Sequence, residues 1–390
     1  MLRFFIGMSF LFFLCHCGEQ PLLSALPATP VEVVREPTRK LADLGFYERA
    51  VALETTDASL IGGIQSIKLD PRTGDLLVGD FRATQAILRF NPEGRFLQRY
   101  GRVGQGPGEY EAIHGFAPLA NGRIVALGSF KLLLWEADGS LVTEQPLRMA
   151  ATWVEARGED IYVRVIRGPE AGGFAVFRLN GDLKKLARFH PRDPRLDRVA
   201  YVPYNAMTLG GRHLYLSECY DFRLTAYDLA GKLTGSWVFP SRNERVVPLL
   251  QKAGKLTAQE RNLLFRGIHR PRAIYAFSEI LYLWEVKTDE GLMNSCLFEP
   301  GANRFTVYEN LKLVGSDPEE ADLTMTDLVG RYDRGLIGYC EDPALLRKHA
   351  ADHPVLADLK VGENDNPVVL FFRLKSVVAT EKHTDGKGDI

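Results

Sequence analysis

The chain has 390 residues, enough for one large domain or two ordinary ones. Its 46% hydrophobic and 25% charged residues are typical of a folded globular protein, which excludes collagen-like, wholly disordered and polytopic membrane chains. With 48 Lys and Arg against 49 Asp and Glu, no global charge draws it toward nucleic acid or anionic lipid. The 36 glycines, 21 prolines, 22 phenylalanines and 14 tyrosines favour short strands and tight turns over long helices, so the fold class expected is all-β.

Arg3 precedes the apolar run FFIGMSFLFFL, which has the length of a signal-peptide core and is too short to span a bilayer. In the LCHCGEQ that follows, Leu14 stands three residues before Cys17, an arrangement that resembles the lipobox of bacterial lipoproteins. His16 departs from the small residue expected before the cysteine. The reading is a lipoprotein-type signal over 1–17 with Cys17 lipidated, against the alternative of an ordinarily secreted chain. Residues 18–45, with Pro21, Pro27, Pro30 and Pro37 and no sustained hydrophobic period, read as a flexible tether. Beyond the leader only Cys219, Cys296 and Cys340 remain, too few and too widely spaced for a disulfide framework or a zinc site.

From residue 62 onward one unit recurs. An inner hairpin is visible in IKLDPRTGDLLVGD (67–80), ANGRIVALGSF (120–130), RGEDIYVRVIR (157–167), GGRHLYLSECYD (210–221), FSEILYLWEVK (277–287) and DRGLIGYCED (333–342). An outer hairpin follows in five of the six, with turn glycines Gly94, Gly139, Gly181, Gly231 and Gly301 spaced 45, 42, 50 and 70 residues apart. Alternating apolar and polar residues broken by a turn glycine are a hairpin signature, and a period of 40–50 residues is that of a propeller blade. The long last interval holds an insertion, KLTAQERNLLFRG, in which Thr257 and Glu260 form a capping box for a short helix. A second short helix is expected from Pro343, in DPALLRKHAADH. NPVVLFFRLK (366–375) lacks an outer partner, and FYERAVALETT (46–56) supplies one. The expectation is therefore a six-bladed β-propeller of four-stranded antiparallel blades over 46–376, closed by its N-terminal strand, with short helical insertions and a tail over 377–390.

YGRVGQGPGEY (100–110) and ENDNPVVLFFRLK (363–375), together with the lipobox-like start, resemble the six-bladed β-propeller lipoproteins related to NHL-repeat and TolB-like propellers of Gram-negative envelopes. The resemblance implies a membrane-anchored location facing periplasm or exterior. It implies little about activity, since propellers host many functions.

Loops after the second strands share one face of such a disc. That face is expected to carry the candidate ligand residues Arg82, Lys131, Arg164, Arg167, Tyr220, Arg223 and Lys287, with Phe81 and Tyr339 adding aromatic surface. Charges beside aromatic platforms suit an envelope protein, peptide, glycan or small polar ligand, with no nucleic acid and membrane contact only through the lipid. GQGPGEY could cradle an anion on glycine N–H groups, or simply connect two blades tightly. No GxSxG, HExxH or paired Cys and His is present, so a binding scaffold is favoured over an enzyme and no catalytic residue or cofactor is assigned. The alternatives are a calcium-dependent lactonase-like hydrolase, with Asp80, Glu218, Glu285 and Glu341 as metal ligands and His114 as the best general base, and a structural subunit of an envelope assembly.

Overall fold

The computed structural model describes residues 27–37, 44–192, 207–218, 223–239, 273–277, 280–288, 291–309, 327–333, 335–342, 354–357, 359–362 and 365–375, with isolated positions between them. The fold is all-β, built of consecutive antiparallel meanders that we call blades. The first runs from Ser66 to Tyr100, the second from Ile113 to Pro146, the third from Ala150 to Pro191, the fourth from Met207 to Val238 and the fifth from Ala273 to Glu309. The sixth contributes Asp327–Tyr332, Gly335–Cys340 and Val368–Leu374. On Val368–Leu374 lies the N-terminal strand Gly45–Ala52, antiparallel, from Val368 opposite Ala52 to Leu374 opposite Gly45.

Strand periodicity explains the stacking. Successive side chains of a strand point to opposite faces, and here both faces are apolar. Leu77 turns to the second blade beside Phe116 and Trp135, while Val78 turns to the sixth beside Val329 and Phe371. Val368, Leu370 and Phe372 meet Tyr275 and Tyr282 of the fifth blade, whereas Val369 and Phe371 meet Ile67 and Leu88 of the first. Among the described residues six apolar clusters result, five of them between successive blades and one joining the sixth to the first. Gly330 also pairs with Ile67 across that last junction.

Local chemistry sets the outer hairpins. Asn91, Asn180 and Asp228 each accept the N–H groups two and four residues on through a side-chain oxygen, which fixes the turn. The left-handed position that follows is taken by glycine in two of these, Gly94 (φ 88°) and Gly231 (φ 96°). In the third it falls on Leu183 (φ 62°), two residues past Gly181, and in the fifth blade's hairpin on Asn303 (φ 53°), two past Gly301. The glycine therefore marks the hairpin without always marking its left-handed residue.

The stretch expected to be a tether is partly laid on the sheets. Thr29–Pro30 pairs in parallel with Leu233–Val238 of the fourth blade, and Glu32–Pro37 with Arg304–Glu309 of the fifth. Val31, buried, and Val33 join the apolar cluster between those two blades. The outer strands of both blades leave a hydrogen-bonding edge open, and VEVVRE alternates well enough to fill it. The N-terminal chain thus crosses the outer rim of the fourth, fifth and sixth blades in turn. The capping box is present: Thr257 N–H donates to Glu260 at 2.8 Å and Glu260 N–H to the Thr257 hydroxyl at 3.2 Å. Most of 342–353, where the second helix was expected, lies outside the described residues, and a single helical turn, Pro354–Ala357, follows it.

A chain beginning at residue 38 should keep cooperative unfolding with a lowered melting temperature, since the fourth and fifth blades retain four strands each. A chain beginning at residue 53 loses the backbone bonds along Val368–Leu374. Each is worth about 0.5–1.5 kcal/mol net in a fold whose total margin is about 5–15 kcal/mol. It should aggregate or melt without cooperativity, read by calorimetry and size-exclusion chromatography.

Candidate functional site

The first strand of each blade lies innermost, and the turn-side ends of these strands converge on a cavity of about 600 Å³ along the axis. Every blade contributes, in order through Lys68, Ala117, Glu155, Thr208, Tyr275 and Arg331. The three charged residues stand near the C-terminal ends of Ser66–Leu69, Ala150–Arg157 and Asp327–Tyr332, beyond the apolar packing between blades. Lys68 Nζ is 2.9 Å from Glu155 Oε2, donates to the Val154 carbonyl at 3.3 Å and sits 5.7 Å over the Trp153 ring. Trp153 Nε1 donates to the other Glu155 oxygen at 3.0 Å, so the carboxylate is held from both sides. Arg331 donates to the Leu209 carbonyl. Burial pushes the Arg331 guanidinium below its ordinary range, opposed by the fields of Glu155 and Asp333. Lys68 is lowered for the same reason, with Glu155 opposing and Arg331 adding to the shift. The Tyr275 hydroxyl donates to the Leu328 carbonyl at 2.9 Å, leaving its ring as a wall.

Several residues expected on the loop face serve the scaffold. Asp80 is fully buried and accepts from the backbone of Gly62 (2.8 Å), Ala83 (2.9 Å) and Thr84 (3.2 Å) and from the Thr84 hydroxyl (3.0 Å). Its oxygens organise the loop that follows, which corrects the metal-ligand reading. Glu218 is likewise committed: Arg164 donates to it at 2.8 Å and His190 Nε2 lies 2.7 Å away, with His190 Nδ1 3.0 Å from the Tyr227 hydroxyl. Burial alone would raise the Glu218 carboxyl, but the adjoining Arg164 and His190 overcome it and hold the group at about 2. Arg164 is thus sealed between the third and fourth blades instead of facing a ligand. Arg223 is buried and donates to Ser236 Oγ at 3.3 Å. Phe81 packs edge-on against Phe116, and Tyr339 is buried between the sixth and first blades.

Arg82 and Glu341 are exposed. Lys131 pairs with Glu144 at 3.1 Å. Arg167, Glu285 and Lys287 lie in strands whose side chains there are outside the described residues, as are Cys17 and Tyr220 altogether. His114 is exposed, 3.3 Å from Ser129 Oγ, and burial lowers its imidazole. Among the described residues no three His, Cys, Asp or Glu side chains gather as a metal site.

The glycine-rich segment is filled by the protein's own carboxylates, which overturns the anion-cradle reading. Gly106 N–H donates to Glu109 at 2.8 Å and Gly108 N–H to Glu144 at 3.1 Å. These bonds, followed by Arg102 and Lys131 respectively, depress both carboxyls. Gly101 (φ 61°) is required: a Cβ there would stand 2.7 Å from the Tyr110 ring and 2.8 Å from Trp135. On the loop face a shallower groove of about 500 Å³ lies among Phe130, Arg148, Met149, Pro169 and Arg192.

The axial cavity escaped the sequence reading because Lys68, Glu155 and Arg331 belong to three distant strands and look like ordinary polar alternation. The available signal was a charge near the C-terminal end of each of three first strands.

Antiparallel meanders stacked about a central cavity define a β-propeller protein. A family model described as 6-bladed beta-propeller (DUF5128) matches residues 39–178. Among solved structures, the chain is similar to a protein described as exported from Bacteroides fragilis, with TM-score 0.63 and 17% identity over 88% of this chain and 99% of that one. It is similar also to a member of the DUF4221 family from Bacteroides vulgatus, with TM-score 0.46 and 12% identity over 85% and 98% of the two chains. No curated protein matches. No described helix is long and apolar enough to cross a membrane.

Replacing Glu218 by Gln leaves Arg164 buried without its counter-charge and should cost about 3 kcal/mol at pH 7. Because the folded carboxyl titrates at about 2, below its ordinary value of 4.5, its stabilisation is complete above that ordinary value and is lost as pH falls toward 2. Urea unfolding should show wild type and Glu218→Gln well separated at pH 7 and converging between pH 5 and pH 2.

Proposed function

We propose that this protein is an exported six-bladed propeller, closed by its N-terminal strand, that binds a small polar ligand in the axial cavity at the cell envelope. The cavity carries the reading: about 600 Å³ falls within the range of small-molecule sites, and charges of both signs converge there with the aromatic walls Trp153 and Tyr275. Export is supported by the leader over 1–14 and by likeness to a protein described as exported. Anchoring through Cys17, as in the envelope lipoproteins that the chain resembles, is supported by Leu14 at the lipobox spacing. Binding is preferred to turnover because Asp80 and Glu218, two of the four carboxylates considered for a metal, are consumed by scaffold bonds. The loop face is a second place for binding, favoured by the groove beside Phe130, whose ring is 68% exposed.

Purified protein incubated with envelope extract and washed should retain a small molecule detectable by mass spectrometry. Retention should be lost in Trp153→Ala and kept in Phe130→Ala plus Arg148→Ala. The reverse pattern would move the site to the loop-face groove, and a protein partner without any retained small molecule would refute the cavity reading. Labelled palmitate should enter the full chain in cells and fail to enter Cys17→Ser; equal labelling of both would refute the anchor.

A further inference from the structure

Charges on the cavity wall do not balance locally. Lys68 and Glu155 neutralise each other at 2.9 Å, and Asp70, also on the wall, is held by Arg89 at 2.8 Å. Arg331 is different. It is half-buried, and its guanidinium donates to a neutral acceptor, the Leu209 carbonyl. Among the described residues no carboxylate lies within ion-pair distance of it. Asp333 and Glu155 act on it only as more distant charges, and Arg157, on the same wall, repels it. A guanidinium carries five N–H donors in a fixed fork, so most of its donor capacity remains for something that enters the cavity. Keeping a charge out of water with no counter-ion costs stability, and a fold tolerates that where a ligand supplies the missing charge.

We propose, resting on the cavity reading above, that the axial ligand is a small ring-bearing monocarboxylate whose carboxylate is gripped by Arg331. A planar fork matches a carboxylate with two parallel hydrogen bonds, which a neutral amide or hydroxyl cannot reproduce. The ring portion lies against Trp153 and Tyr275. Trp153 cannot swing away freely, because its Nε1 is tied to Glu155 and its face is covered by Lys68. One carboxylate is specified and not two, since Lys68 already has its partner and Arg157, the third cation on the wall, is exposed to solvent.

Two matched pairs of probes test this on the purified protein: benzoate against benzamide, and glucuronate against glucose. Binding is read by saturation-transfer NMR and by the shift of melting temperature at equal concentrations. At least one acid should bind and stabilise the fold while its neutral counterpart does so about tenfold less or not at all. Arg331→Gln should abolish that preference without lowering the melting temperature of the free protein, because the substitution removes an uncompensated charge. Arg331→Lys, which keeps the charge and loses the fork, should fold normally and bind the acid about tenfold more weakly. Equal binding of acid and neutral probe, or unchanged acid affinity in Arg331→Gln, would overturn the carboxylate assignment. Failure of both acids to bind would overturn it as well. In each of these cases the cavity reading stands on its own if a compound captured from extract still requires Trp153.

Discussion

Among the described residues the second strand of each blade is buried along nearly its whole length, as in Leu76–Asp80, Ile124–Gly128 and Gly335–Cys340. Such a strand sends apolar side chains to both sides, so it is satisfied only when another meander is stacked on each. Leu77 and Val78, adjacent in sequence and wholly buried, serve two different interfaces. The same holds for Phe371 and Phe372 at the other end of the chain. The sixth blade gains its outer strand from the other end of the chain, where Gly45–Ala52 pairs with Val368–Leu374. The axial cavity is a by-product of the same stacking: first strands crowd inward until backbones can approach no further, and what is left at the centre is room for polar side chains.

Polar groups inside the interfaces act as rivets. Arg89 of the first blade donates to Asp75 at 2.7 Å, to Asp70 at 2.8 Å and across the boundary to the Ala137 carbonyl at 3.2 Å. Phenols do likewise, Tyr110 reaching back to the Gln85 carbonyl at 2.7 Å and Tyr162 forward to the Leu229 carbonyl at 2.8 Å. The Arg164, Glu218, His190 and Tyr227 chain joins the third and fourth blades. Directional networks of this kind specify which blade faces which, something the non-directional apolar clusters do not do alone. Arg331 also crosses between blades, to the Leu209 carbonyl, but among the described residues no carboxylate pairs with it.

The N-terminal segment adds a girdle outside the disc. After Thr29–Pro30 on the fourth blade it passes to Glu32–Pro37 on the fifth, and Gly45–Ala52 lies on the sixth.

Local patterns determined what the sequence could tell by itself. Alternation at period two, turn residues such as Asn91 and Asp228, and the capping box of Thr257 with Glu260 act within a few residues, so the hairpins, the all-β class and the propeller resemblance were legible in the order of amino acids. The orphaned strand at NPVVLFFRLK announced its need for a partner for the same reason. Only the tertiary structure decided which polar residues are spent on the scaffold. Arg164 and Glu218 are 54 positions apart, and Glu109 and Glu144 close on a glycine segment from two different places in the chain. A charge near a strand end reads identically whether it meets solvent, a ligand or a counter-charge on the next blade. The difference lies in desolvation and distance, and those exist only once the blades have been stacked on one another.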